Sequence, residues 1–213
     1  MIIETVVVGP LQANCYIVGC EEVRDCAVID PGGDPEEVIE RIRRLGLRPV
    51  WILDTHGHGD HIGGQRALKE AFPAALIAIH EADAPMLRSA VKNLSGFLGM
   101  PVKSPPADRM LHDGDVLDVG RMTLEVIHVP GHTPGGVAFY APVGPDETPA
   151  VFCGDALFAG GVGRVDFPGG DMDQLLSSIR NRLLVLPPRT MVYPGHGEPT
   201  TIGQEAHSNP FLV

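Results

Sequence analysis

DTHGHGDH, residues 54–61, places three histidines and an aspartate within six positions: His56, His58, Asp60 and His61. Neutral imidazole and carboxylate are good ligands for Zn²⁺ and similar ions. The intervening Gly57 and Gly59 let the backbone turn tightly around a metal. With nine histidines in the chain, an H-x-H-x-D-H match arises by chance roughly once in a thousand such chains. The segment therefore reads as a ligand cluster, not as a solvated polar turn.

Working outward, the motif follows directly on the apolar run PVWILD (49–54). Three other apolar runs end in the same way: LEVIHVPGH at His132, AVFCGD at Asp155 and MVYPGH at His196. Strands that deliver ligands at their C-terminal ends would build one site at one sheet edge. A glycine precedes His132, Asp155 and His196, which allows close backbone approach. The set His56, His58, Asp60, His61, His132, Asp155 and His196 is too large for one tetrahedral zinc. It suits two metals sharing a bridging carboxylate, typically ~3.5–4 Å apart. Asp54 and Thr55 flank the motif and either could orient an imidazole from behind. His80, His112 and His207 read as structural or surface residues, and His128, within a strand, as a core residue or one that supports a ligand from behind.

The rest of the chain alternates strands and helices. ETVVVG, NCYIVG and CAVID read as antiparallel strands. DPEEVIERIRRLG reads as a helix, with Asp34 as its cap, Pro35 in the first turn and Gly46 at its end. GGQRALKEAF, EADAPMLRSAVK and DMDQLLSSIRNRLLVL read as further helices, and AALIAIH as a strand. DVLDVGRMTLEVIHVP reads as a hairpin turning at Gly120. Residues 93–109, rich in Gly and Pro, read as a long surface loop of the kind that borders sites. This mixture predicts a layered α/β protein with mixed sheets.

The 213 residues suffice for one ordinary domain, 1–213, with no linker in view. The formal charge of −11 repels phosphate backbones and argues against a nucleic-acid partner. No apolar run approaches the ~20 residues of a membrane helix. The N-terminus lacks the basic region of a signal peptide, so a cytoplasmic protein is expected. Cys15, Cys20, Cys26 and Cys153 form no C-x-x-C pair and read as buried thiols rather than disulfides.

At the ligand residues the chain resembles the metallo-β-lactamase superfamily, whose signature is T-H-x-H-x-D-H. The likeness runs from NCYIV to PGHG. Within the superfamily, GHTPGG, GDALF and GVGRVDFPGGD resemble the glyoxalase II (hydroxyacylglutathione hydrolase) group, and its short bacterial members most. The resemblance implies an αββα four-layer sandwich with the metal site at one edge of the two sheets. It implies two divalent ions, zinc foremost, with iron or manganese as alternatives. The first would be held by His56, His58 and His132, the second by Asp60, His61 and His196, with Asp155 bridging. A hydroxide between them would attack the carbonyl of a small thioester, with Asp60, His58 and Asp155 as the catalytic set. Arg164 is the candidate to grip a substrate carboxylate, with a pairing to Asp166 or Asp155 as the equal alternative.

Longer glyoxalase II enzymes hold glutathione partly through a C-terminal helical region. Only 16 residues follow Gly197 here (213 minus 197), too few for it. Persulfide dioxygenases, which use one iron on residues matching His56, His132 and Asp155, are the alternative. A non-catalytic metal-binding module fits less well, because structural zinc sites are closed and usually four-coordinate. A β-lactamase also fits less well, since those with two zincs often use Cys where Asp155 stands. The expected assembly is a monomer or small homo-oligomer.

Overall fold

The computed structural model describes residues 1–97 and 99–213. Two six-stranded sheets form the middle of the molecule. The first contains β1 (Ile2–Val8), β2 (Ala13–Gly19), β3 (Asp25–Ile29), β4 (Arg48–Leu53), β5 (Leu76–His80) and β6 (Arg109–Leu111), in that order across the sheet. The pairs β1–β2 and β2–β3 are antiparallel, and β3 to β6 run parallel. The second sheet contains β7 (Val116–Val119), β8 (Met122–His128), β9 (Val137–Ala141) and β10 (Ala150–Gly154). After the small hairpin of β11 (Leu157–Phe158) and β12 (Gly161–Val162), it is completed by β13 (Met191–Pro194) and β14 (Thr200–Thr201). Its order is β14-β13-β10-β9-β8-β7, with β10 and β13 parallel.

Period-2 alternation divides the side chains of these strands among three cores. In β2, Cys15 and Ile17 face outward to the core containing Val38, Ile42 and Leu68, while Tyr16 and Val18 face inward. In β9, Phe139 faces inward and Ala138 outward, and β10 repeats this with Phe152 and Val151. The inner core is sealed between the sheets. The outer two are covered by helices: α1 (Pro35–Arg44) and α3 (Gln65–Ala71) on the first sheet, α4 (Met172–Ser178) and α5 (Ile202–Ser208) on the second. Three cores make four layers, which is the expected αββα sandwich. Sheets buried on both faces explain why strands such as NCYIV and AVFC read as continuous apolar runs.

The helix at DPEEVIERIRRLG forms, with Val38 and Ile42 on its buried face and Gly46 turning left-handed beyond its end. Asp34 occupies the N-cap position, but its side chain makes no capping hydrogen bond. Asp34 takes a left-handed backbone (φ 42°), and its Oδ2 accepts from Gly9 N at 2.7 Å. The helix expected at EADAPMLRSAVK is reduced to one 3₁₀ turn, Ala84–Met86. Pro85 disfavours a longer helix, and Asp83 is buried to serve other backbone, as described below. DMDQLLSSIRNRLLVL forms α4, capped by Asp171, and continues as a π-helical turn over Ile179–Leu183. Sequence reading missed α5, capped by Thr201, whose buried Glu205 accepts from Thr200 Oγ1 and Asn209 Nδ2.

Asn93, Ser95 and Ser104 are buried, so the stretch 93–109 is in part packed backbone and not only a surface loop; position 98 lies outside the described residues. All four cysteines are buried and free. Among the described residues no helix is long and apolar enough to cross a membrane.

Candidate metal centre

The ligand candidates converge where strands of both sheets end. His56 and His58 follow β4, and Asp60 and His61 lie in the single helical turn α2 (Gly59–Ile62). His132 lies in the loop after β8, Asp155 directly after β10 and His196 two residues beyond β13. One side-chain atom from each of His56, His58 and His132 lies within 4.8 Å of the others, and the same holds for Asp60, His61 and His196. Asp155 lies between the two groups. Its Oδ1 is 3.5 Å from His61 Nε2 and 3.7 Å from His196 Nε2, while its Oδ2 is 3.7 Å from His132 Nε2. Gly195 has no room for a side chain, because a Cβ there would collide with Asp155 Oδ1 and the His61 ring.

The faces turned away from the centre decide the tautomers. His132 Nδ1 lies 2.6 Å from the Arg164 carbonyl and donates to it, leaving the Nε2 lone pair inward. His61 Nδ1 donates to Asp30 Oδ2 at 3.0 Å. His56 Nδ1 lies 3.1 Å from the Thr55 hydroxyl, which donates to the same Asp30 Oδ2 at 2.6 Å. Asp30 Oδ1 accepts from Thr55 N at 2.7 Å. Asp30 therefore stands behind one histidine of each group. Its grouping with His56 and His61 forms this supporting layer, since its carboxylate is engaged on their outward sides. Asp83 performs a similar task for backbone. It accepts from Gly57 N, between His56 and His58, and from Thr133 Oγ1 and Gly135 N, beside His132.

The donor set fits divalent metal ions. His56 Nε2, His61 Nε2 and Asp155 Oδ1 are buried, point into the centre and have no hydrogen-bond partner. An unpartnered buried polar atom is costly, and cations held by the two groups would satisfy all three. Electrostatics divides the groups. Burial and the neighbouring imidazoles push His56 down, and burial with His132 pushes His58 down to about 3, so both lone pairs are free at neutral pH. For His61 burial acts downward, but Asp60, Asp155 and Asp30 together outweigh it and raise it to about 10. Burial opposes ionisation of Asp60, yet His61 and the His196 hydrogen bond hold it well below the usual carboxylate range. A site that favours a proton on His61 favours a metal cation in its place.

These shifts predict the pH dependence of the metal-free chain. An unfolded histidine titrates near 6.5. Between about 6.5 and 3, unfolded His58 binds a proton that the folded form does not, so stability falls on acidification. Between about 6.5 and 10, folded His61 holds a proton that the unfolded form has lost, so stability falls on alkalinisation. Urea unfolding of the metal-stripped chain should give greatest stability between about pH 6 and 7. A rise in stability from pH 7 to 9 would contradict this assignment.

Thr55 orients a ligand candidate, whereas Asp54 touches none of them. It is buried, accepts from Gln65, and is raised by burial and by Asp30. His80 stacks flat on His128 at 4.2 Å, outside the centre. Arg164 pairs with Asp166 through two hydrogen bonds (3.0 and 2.8 Å) and lies over the Phe167 ring. It also lines a cavity of about 730 Å³ that opens over His58, Asp60, His132, Asp155 and His196. Sequence reading missed Asp30 and Asp83. The run CAVID ends in Asp30 just as AVFCGD ends in Asp155, a signal that could have found it. Asp83 lies in a stretch that read as helix and carries no such signal.

The sequence model of the metallo-beta-lactamase superfamily matches residues 8–196. The chain is 41% identical over 214 residues to hydroxyacylglutathione hydrolase GloC of Haemophilus influenzae, covering 100% of this chain and 98% of that one. Among solved structures it is similar to the BLEG-1 B3 metallo-beta-lactamase (TM-score 0.93, 40% identity, 100% of both chains). It is also similar to TTHA1623 in a di-iron-bound form (0.86, 42%, 98% of this chain and 100% of that one). ETHE1 from Myxococcus xanthus has the same fold at 29% identity (0.78, covering 99% and 84%).

Proposed function

The chain belongs to the metallo-beta-lactamase superfamily and is a metallo-hydrolase, and from that premise we propose that it hydrolyses a small thioester of the hydroxyacylglutathione kind with two divalent metal ions. The observation that carries the reading is the position of Asp155, with one oxygen toward each three-residue group. His56, His58 and His132 would hold one ion, Asp60, His61 and His196 the other, and Asp155 would bridge them. Bound there, the ions supply Lewis acidity and a nucleophile at neutral pH, since coordination lowers the pKa of water to about 7.

The remaining contributions belong to the chain. Asp60 stays ionised, so it binds or accepts rather than donates. A thiolate is a good leaving group, so its departure needs no strong general acid. Asp166 takes Nε and Nη2 of Arg164, which lines the cavity, and leaves Nη1 for a substrate carboxylate. Full-length similarity to GloC supports the thioester. The likeness to BLEG-1 favours a second reading, β-lactam hydrolysis by the same residues.

The test is the metal content of protein purified without added metal, with rates on S-lactoylglutathione and a chromogenic cephalosporin. We expect about two ions per chain, zinc or iron, and thioester turnover that a chelator removes and added metal restores. Cephalosporin turnover exceeding thioester turnover would transfer the assignment to the second reading. About one iron per chain, with O₂ uptake on a persulfide, would make the protein a dioxygenase.

A further inference from the structure

The cavity over the centre has an unequal wall. Apart from the ligand candidates, Asn93 and Arg164, it is lined by Leu11, Leu94, Phe97, Phe158, Phe167 and Pro168. Phe97 is 76% exposed and Leu11 45% exposed, an aromatic and an aliphatic side chain held in water at the mouth of the site. Single exposed apolar residues are ordinary. A set converging on one cavity of ligand size is not.

This wall is anchored to the centre itself. The Asn93 carbonyl accepts from Gly59 N at 2.8 Å, between His58 and Asp60. The buried Asn93 amide donates to Met86 O and Val102 O, and its Oδ1 accepts from the buried Ser95 hydroxyl and backbone. Ser95 Oγ in turn accepts from Val102 N. Between these two, Leu94 is held left-handed at φ 64°, a conformation that costs a bulky residue energy and persists only when its surroundings impose it. The imposed turn leaves the Leu94 side chain lining the cavity. Arg164 is the one Lys or Arg among the described lining residues.

From this arrangement we infer that the substrate is a thioester with a bulky apolar acyl group, aryl or branched, on a small thiol carrying a carboxylate for Arg164. The acyl group packs against Leu94 and Phe97 and the carboxylate lies toward Arg164. The inference rests on the thioesterase reading and adds the acyl class to it. One guanidinium in a chain of charge −11 does not match carriers bearing several phosphates.

Two measurements test it. With the metal-loaded protein, kcat/KM for S-phenylacetylglutathione should exceed that for S-lactoylglutathione at least tenfold. With the metal-stripped protein, S-benzylglutathione, a thioether that cannot be hydrolysed, should bind at least tenfold tighter than S-methylglutathione. Leu94→Gly, which suits the left-handed backbone, and Phe97→Ala, at an exposed position, should each collapse both ratios. Turnover of both thioesters with equal kcat/KM would overturn the acyl assignment and leave the thioesterase reading standing. A rate preference without a binding preference would also overturn it. Turnover of neither thioester would remove the thioesterase reading and the acyl class together.

Discussion

Asp155→Asn is expected to lower thioester turnover by at least about a hundredfold and to reduce the metal content from about two ions per chain to about one. The amide has the shape of the carboxylate, so β10 and the loop after it should stay folded. What changes is the chemistry at the junction of the two groups. Asp155 presents Oδ1 toward His61 and His196 and Oδ2 toward His132. Asparagine replaces one oxygen with an NH₂ donor and removes the negative charge, so it can face only one side as a ligand. Circular dichroism should be unchanged while elemental analysis and rate fall together. Two ions per chain with full activity in this variant would show that Asp155 does not bridge.

Asp30→Asn should have the next largest effect, although Asp30 is behind the ligands. Its carboxylate accepts three hydrogen bonds, from Thr55 N, the Thr55 hydroxyl and His61 Nδ1. An asparagine must turn a donor toward one of those donors, leaving a buried clash. Its left-handed backbone, φ 51° in the parent, is one that asparagine tolerates, so the effect comes from the side chain. Loss of buried hydrogen bonds to a charge costs about 1.5–3 kcal/mol each when unreplaced. Loss of support behind a ligating histidine costs ~10–100-fold in metal affinity. Because Asp30 supports His56 through Thr55 and His61 directly, both ions should bind more weakly. Thr55→Val, which removes only the His56 branch, should weaken one ion and spare the other. Titration with a competing chelator separates these outcomes, and equal affinities for Asp30→Asn and the parent would reduce Asp30 to a packing residue.

Much of this architecture is legible in the amino-acid sequence. The ligand candidates were legible because metal chemistry restricts residue type. Few other demands place three histidines in six positions, or end four apolar runs in His or Asp. The strands were legible because sheets buried on both faces need unbroken apolar runs. The failures have physical causes too. Asp34 had the composition of a helix cap, but Gly9 N took its carboxylate. Residues 81–92 had helical propensity, but tertiary demand for Asp83 at Gly57, Thr133 and Gly135 overrode it. The α5 helix is short, and its buried Glu205 disguises its inner face. Hydrogen bonds between residues far apart in sequence, such as those of Asp30 and Asp83, leave little local trace.

The two groups of side chains divide the chain in a way that bears on its folding. Each takes two members from the first sheet's half, His56 and His58 or Asp60 and His61, and one from the second half, His132 or His196. Neither of these two groups is complete within one half, so ion binding to them must follow docking of the halves and reports on it. An ion bound there ties together segments some 70 to 140 residues apart, the long-range closure that disulfides provide in exported proteins. With its four cysteines all unpaired, this chain assigns that cross-linking to the same ions proposed for its chemistry, and stripping them should loosen the seam between the sheets before it unfolds either one.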